Sequence, residues 1–141
     1  MASTKAHLDH LSNVSLFSGC TKKELEKIVR AGDEITMTAG TVIVDQGQTG
    51  REAFVVLEGE VSVKRNGRRV TTLGPGAMVG ELSLLDHGPR TATAVCETDC
   101  TLLVIDQRHF RAVLEDVPSM SVKLLAALAG RIRDLDRQYY G

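Results

Sequence analysis

From residue 34 to residue 106 the apolar residues come in brief β-branched runs cut apart by glycine, and this rhythm constrains the fold more than any other feature. Residues 35–38, 41–44, 54–57, 61–64, 70–73, 91–96 and 101–105 are each rich in Val, Ile, Leu or Thr and have the length of a strand. Short strands do not bury an apolar face singly, so they stack as a sandwich or close as a barrel. Asn66-Gly67 marks a two-residue hairpin, because both turn positions need a positive φ. Its basic flanks, Lys64, Arg65, Arg68 and Arg69, read as solvated charges that blunt an exposed edge, with a docking patch as the alternative.

Helical signals lie on either side. Thr21 and Glu24 have capping-box spacing, Leu25, Ile28 and Val29 form one apolar face, and Gly32 is a plausible stop. Asp106 can cap a helix through Phe110, Val113 and Leu114, and Pro118 ends it and permits another. In that last helix Leu125, Leu128, Ile132 and Leu135 recur at three- and four-residue steps, so one face calls for cover. The cover is the barrel, a second copy of the chain, or a ligand beneath a lid. A chain of 141 residues suits one core. The expectation is therefore a mainly β single domain over residues 1–141, with flanking helices, a barrel over about 33–106 and C-terminal helices over about 107–137.

A net charge of −1 and a pI near 6.4 give no bulk attraction to nucleic acid or anionic membrane. Residues 1–7 lack an apolar signal core and no apolar run is long enough to cross a bilayer, so a cytoplasmic location is expected. Three cysteines without a Cys-x-x-Cys pair argue against a disulfide framework or a zinc site. Cys96 and Cys100 are read as idle thiols, with a bridge between them as the alternative. His7 and His10 are one helical turn apart, but two ligands are too few for a metal, and His87 and His109 lie far off in sequence. No paired carboxylates or nucleophile-base arrangement is visible, so neither an enzyme nor a metal or cofactor site is expected.

The chemistry concentrates in residues 79–95. Gly80 lets the backbone approach a ligand and opens a helical turn whose first N–H groups point at an anion. Glu81 can accept two hydrogen bonds from sugar hydroxyls, and Arg90, the only cation of the segment, can hold a phosphate in a planar fork. Alone, Glu81 and Arg90 could equally be a structural ion pair. Their order, glycine turn, short helix, Pro89-Arg90-Thr91-Ala92 and then an apolar strand, favours a sugar phosphate.

This stretch resembles the phosphate-binding cassette of cyclic nucleotide-binding domains, found in Crp/Fnr-type regulators, protein kinase A regulatory subunits and gated channels. The resemblance extends to residues 39–47, 54–61 and 73–76 and covers roughly 11–137. It implies a jelly-roll, or double-stranded β-helix, barrel with an N-terminal helix and a C-terminal helix serving as lid or dimerisation helix. It further implies that Glu81 holds the ribose 2′-hydroxyl and Arg90 the cyclic phosphate, with Gly80, Leu82, Ser83, Thr91 and Ala92 completing the site. Val79, Leu82 and Leu84 would wall the pocket, and Leu135 and Asp136 would lie over the base. The implied ligand is cAMP, with cGMP as the alternative because Thr91 does not settle the base. A homodimer through the C-terminal helix and a downstream protein are the implied partners. Crp/Fnr regulators carry a helix-turn-helix, and few residues follow Arg137, so DNA binding by this chain is not expected. The alternative is the effector-domain part of such a regulator.

Overall fold

Strand β3 (Glu52–Glu58) fixes the layering, because its five central residues are all buried. Successive strand side chains point to opposite faces, so such a run requires cover on both. Ala53, Val55 and Leu57 pack under the helices, while Phe54 and Val56 pack between two sheets. The computed structural model describes residues 4–140; residues 1–3 and 141, which the single-domain expectation includes, lie outside the described residues.

The other strands are β1 (Asp33–Met37), β2 (Val42–Val44), β4 (Val61–Arg65), β5 (Arg68–Leu73), β6 (Met78–Val79), β7 (Thr93–Cys96) and β8 (Cys100–Asp106). They form two four-stranded antiparallel sheets, β1-β8-β3-β6 and β2-β7-β4-β5. The chain crosses repeatedly from one sheet to the other, which is the jelly-roll arrangement. Val44, Val61, Val79, Ala94, Cys96, Cys100 and Leu102 join Phe54 and Val56 in the inter-sheet core. Cys20, Cys96 and Cys100 are free thiols. Burial raises the Cys96 thiol to about 11, with Cys100 beside it acting in the same direction.

Helices α1 (Thr4–Ser12), α2 (Lys22–Ala31), α3 (Gln107–Asp116) and α4 (Ser119–Tyr140) flank the sheets. Leu11, Leu16, Phe17, Ile28, Leu103, Ile105, Phe110, Met120 and Leu124 fill the second core, on the outer face of the β3-containing sheet. The Thr21–Glu24 capping box is present, at 3.3 Å from the Glu24 N–H to Thr21 Oγ1 and 2.7 Å from the Thr21 N–H to Glu24 Oε1. Asp106 caps α3 by accepting from the His109 N–H at 2.8 Å.

The last helix departs from the expected seam. Its packed stripe runs through Met120, Leu124 and Leu128, whereas Leu125, Ile132 and Leu135 are exposed. Each step of four residues drifts about 40° round an α-helix, so 120, 124 and 128 share one flank while 132 and 125 have turned away from it. Among the described residues no helix is long and apolar enough to cross a membrane, and no group of three or more His, Cys, Asp or Glu is placed to hold a metal ion.

Candidate functional site

The segment after β6 turns sharply. Gly80 has φ +77°, and a Cβ there would overlap the Arg90 guanidinium and come within 3.2 Å of the Glu52 carbonyl, so both conformation and space require glycine. A short 3-10 turn, Glu81–Leu84, follows. The Ser83 N–H closes that turn on the Gly80 carbonyl at 3.0 Å, so the N–H groups of Glu81 and Leu82 precede its first bond. The Arg90 backbone is pinned to the loop before β3: its N–H donates to the Gln48 carbonyl, and its carbonyl accepts from the Gly47 N–H, both at 2.8 Å. This pairing holds residues 91 and 92 in a loop, so β7 begins at Thr93 rather than at 91 as the pattern suggests.

A cavity of about 250 Å³ opens between the two arms of this segment and the β4–β5 hairpin. Val44, Leu73, Val79 and Ala94 give it an apolar floor; Glu81, Ser83, Arg90 and Thr91 are its polar groups on the cassette side. Of the residues singled out in the sequence, Gly80, Glu81, Leu82, Ser83, Arg90, Thr91, Ala92 and Val79 all line it. Leu84 does not: it is 1% exposed and points into the core beneath the helices. Leu135 is 50% exposed, and neither it nor Asp136 reaches the cavity wall.

Glu81 and Arg90 are not partners. Arg90 Nη1 donates to the Glu52 carbonyl at 2.7 Å and to Ser83 Oγ at 2.9 Å. Partial burial draws the guanidinium below its ordinary value while the Glu52 carboxylate pulls it back up. A guanidinium is not deprotonated in a protein, so Arg90 stays cationic. Gly50 closes the far side, since a Cβ there would overlap the guanidinium. Glu81 instead pairs with Arg131 of α4, Nη1 to Oε1 at 3.2 Å, and Arg131 Nη2 donates to Ser15 Oγ at 2.9 Å. A carboxylate for hydroxyls and an anchored guanidinium for an anion thus share one apolar-floored recess.

Four contributing residues are not apparent from the sequence pattern. Arg65 lines the cavity from β4, donating through Nε to the Thr91 carbonyl at 3.3 Å, and its neighbour Arg69 pairs with Glu97, so these flanks are not simply solvated. Gln46 holds the hairpin tip in place with bonds of 2.9 and 2.8 Å to Asn66. Arg131 and Gly50 carry no local signal, because each is defined by a neighbour remote in sequence.

Residues 34–117 match the cyclic nucleotide-binding domain family. A CRP-like cAMP-activated global transcriptional regulator of Mycobacterium tuberculosis is 29% identical over 128 residues, 87% of this chain and 57% of the regulator's own length. The crystal structure of the N-terminal domain of a transcriptional regulator from Streptomyces coelicolor superposes with a TM-score of 0.85 at 31% identity, covering 94% of this chain and 95% of that one. The regulatory domain of Toxoplasma gondii PKA, in co-crystals with cAMP, gives a TM-score of 0.73 at 29% identity over 80% of this chain and 45% of that one.

Proposed function

This chain belongs to the cyclic nucleotide-binding domain family, and on that premise we propose that it is a receptor module for cAMP, with cGMP as the alternative ligand, that performs no chemistry of its own. One observation carries the reading: Glu81 and Arg90 line the same cavity without pairing with each other, leaving each with binding capacity. Arg90 Nη1 is spent on its support, and the rest of the fork is left to grip a phosphate. Glu81 gives one oxygen to Arg131 and keeps the other for the ribose 2′-hydroxyl. Leu82, Thr91 and Ala92 flank the ligand, and the walls contributed by β4 and β5 face the base.

The response to ligand runs through α4. Arg131 is a direct bond between that helix and the cavity, while Val122, Leu125 and Ile132 leave an apolar face uncovered on its outer side. Changing the load on Glu81 changes what holds the distal half of α4. A second copy of the chain is the partner for that outer face, and a downstream protein reads the rearrangement. Hydrogen exchange across residues 120–137 tests the coupling. It should slow on adding cAMP beyond the global stabilisation seen in β3 and β8. Equal protection of barrel and helix would leave α4 with a packing role only.

A second reading is supported by the likeness to the Streptomyces coelicolor regulator domain: the ligand-sensing part of a Crp-type transcription regulator whose DNA contacts are made outside residues 4–140. Mobility-shift assays of the full-length gene product with and without cAMP distinguish the two readings: a cAMP-dependent shift supports the regulator.

A further inference from the structure

Gln107 is 7% exposed, lies at the first position of α3 and does not line the cavity. Its side chain nevertheless makes two bonds to the nucleotide cassette: Nε2 donates to the Ser83 carbonyl at 3.1 Å and to the Asp86 carbonyl at 2.9 Å. A side-chain amide nitrogen has two N–H donors, so both are spent on this one turn. The carbonyls at the end of a short helical turn have no following turn to receive from, and buried away from water they need an outside donor.

Ser83 links this amide to the ligand-binding cation. Its carbonyl accepts from Gln107 while its Oγ accepts from Arg90 Nη1 at 2.9 Å. The same two residues share a second anchor at the start of β3, where the Gln107 main-chain N–H donates to the Arg51 carbonyl at 2.7 Å and Arg90 Nη1 to the Glu52 carbonyl at 2.7 Å. Arg90, Ser83, Gln107 and residues 51 and 52 therefore form a closed circuit of hydrogen bonds that ties the turn to the guanidinium.

We infer that Gln107 is a positioning residue for the phosphate subsite, holding the Ser83–Asp86 turn from α3 so that Ser83 Oγ presents Arg90 to the anion. This rests on the proposed cyclic nucleotide reading. It adds to that reading a group outside the cavity that sets affinity for the phosphate and not for the nucleoside. Glutamine suits the role because glutamate, nearly isosteric, brings acceptors only against two carbonyls when ionised, and leucine fills the volume without a donor.

The test compares wild type, Gln107→Leu and Gln107→Glu in calorimetric titrations with cAMP and with adenosine, which lacks the phosphate. Both variants should weaken cAMP binding about tenfold while changing adenosine binding less than about twofold, since a loosened turn costs only the ligand that uses Arg90. Protonating the introduced glutamate at lower pH restores one donor, so the Gln107→Glu deficit should shrink as pH falls. Equal losses for both ligands, or cAMP affinity within about twofold of wild type, would overturn the inference and leave Gln107 as packing. A wild type that binds no cyclic nucleotide refutes the receptor reading instead. In that event ligand-free hydrogen exchange decides: the amides of residues 83–90 must exchange faster in Gln107→Leu while those of β3 do not, and unchanged exchange in that segment sinks the positioning role.

Discussion

Arg131 and Glu81 stand 50 residues apart in sequence and meet at 3.2 Å, joining the terminal helix to the cavity through a single ion pair. Both side chains are partly open, 35% and 26% exposed, so the pair contributes no more than about 1 kcal/mol to stability. Its importance lies in coupling. Arg131→Met keeps the stem against the turn at Ser15 and removes the charge. The expected result is a change in cAMP affinity of less than about fivefold, with most of the ligand-induced slowing of exchange in residues 125–137 lost. Retention of that slowing in the variant would show that the helix responds by another route.

Glu81 should act on the ribose hydroxyl rather than through net charge, because a carboxylate near a phosphate otherwise repels it. Wild type should prefer cAMP to 2′-deoxy-cAMP, and Glu81→Gln should narrow that preference by about tenfold as the charged acceptor is lost. Competition titrations with the two nucleotides give the ratio directly; an unchanged ratio removes Glu81 from the ribose subsite.

Gly50 is a space requirement placed on Arg90. A methyl group there would overlap the guanidinium, which is the mobile end of its side chain, so the side chain yields and the barrel does not. Gly50→Ala should cost about 1 kcal/mol or less in urea unfolding yet weaken cAMP binding about tenfold by tilting the fork away from the phosphate. Wild-type affinity in a well-folded variant would show that Arg90 binds from a different rotamer.

Glu24 makes stability acid-sensitive. It is buried at the start of α2 and accepts from Lys123 Nζ at 2.5 Å and Ser119 Oγ at 3.2 Å, both on α4. The Lys123 bond, aided by the Thr21 N–H, holds its carboxyl at about 2 against an ordinary 4.5. A carboxyl depressed in the folded state favours folding above its unfolded value, and that contribution disappears as pH falls from 4.5 towards 2. Asp106, lowered by the His109 N–H, adds a change of the same sign. The urea midpoint should therefore drop with pH across this window, and Glu24→Gln should flatten part of the drop. A variant with the parent's full slope would place the acid sensitivity elsewhere.

Most strands were legible in the sequence because each is a brief β-branched run set off by turn residues, and the Asn66-Gly67 turn because its two positive φ angles, 54° and 79°, demand those residue types. Strand β6 was not, since two residues make no pattern. The cassette was legible as far as its chemistry is local: Gly80, Glu81 and Arg90 lie within one segment. What the sequence could not give was the cover. The spacing of Leu125, Leu128, Ile132 and Leu135 identifies an amphipathic helix but not which of its two apolar stripes meets the core, and only Leu128 of the four does. Arg65 was hidden for the same reason, since a charge on a hairpin is assigned to cavity or solvent by how far the hairpin folds back, here set by Gln46 and Asn66.

The most direct measurement is a calorimetric titration of cAMP, beside 5′-AMP, into the wild-type chain and Arg90→Ala. Wild type should bind cAMP with one site per chain and 5′-AMP far more weakly, because the cassette offers one guanidinium, Arg90, a match for the single charge of a phosphodiester. Arg90→Ala should lose about 2–5 kcal/mol of the cAMP interaction, with Arg90→Lys recovering only part because an ammonium lacks the planar fork. Equal affinity for cAMP and 5′-AMP, or an Arg90→Ala variant that binds cAMP like the parent, would contradict the assignment of this cavity to a cyclic nucleotide.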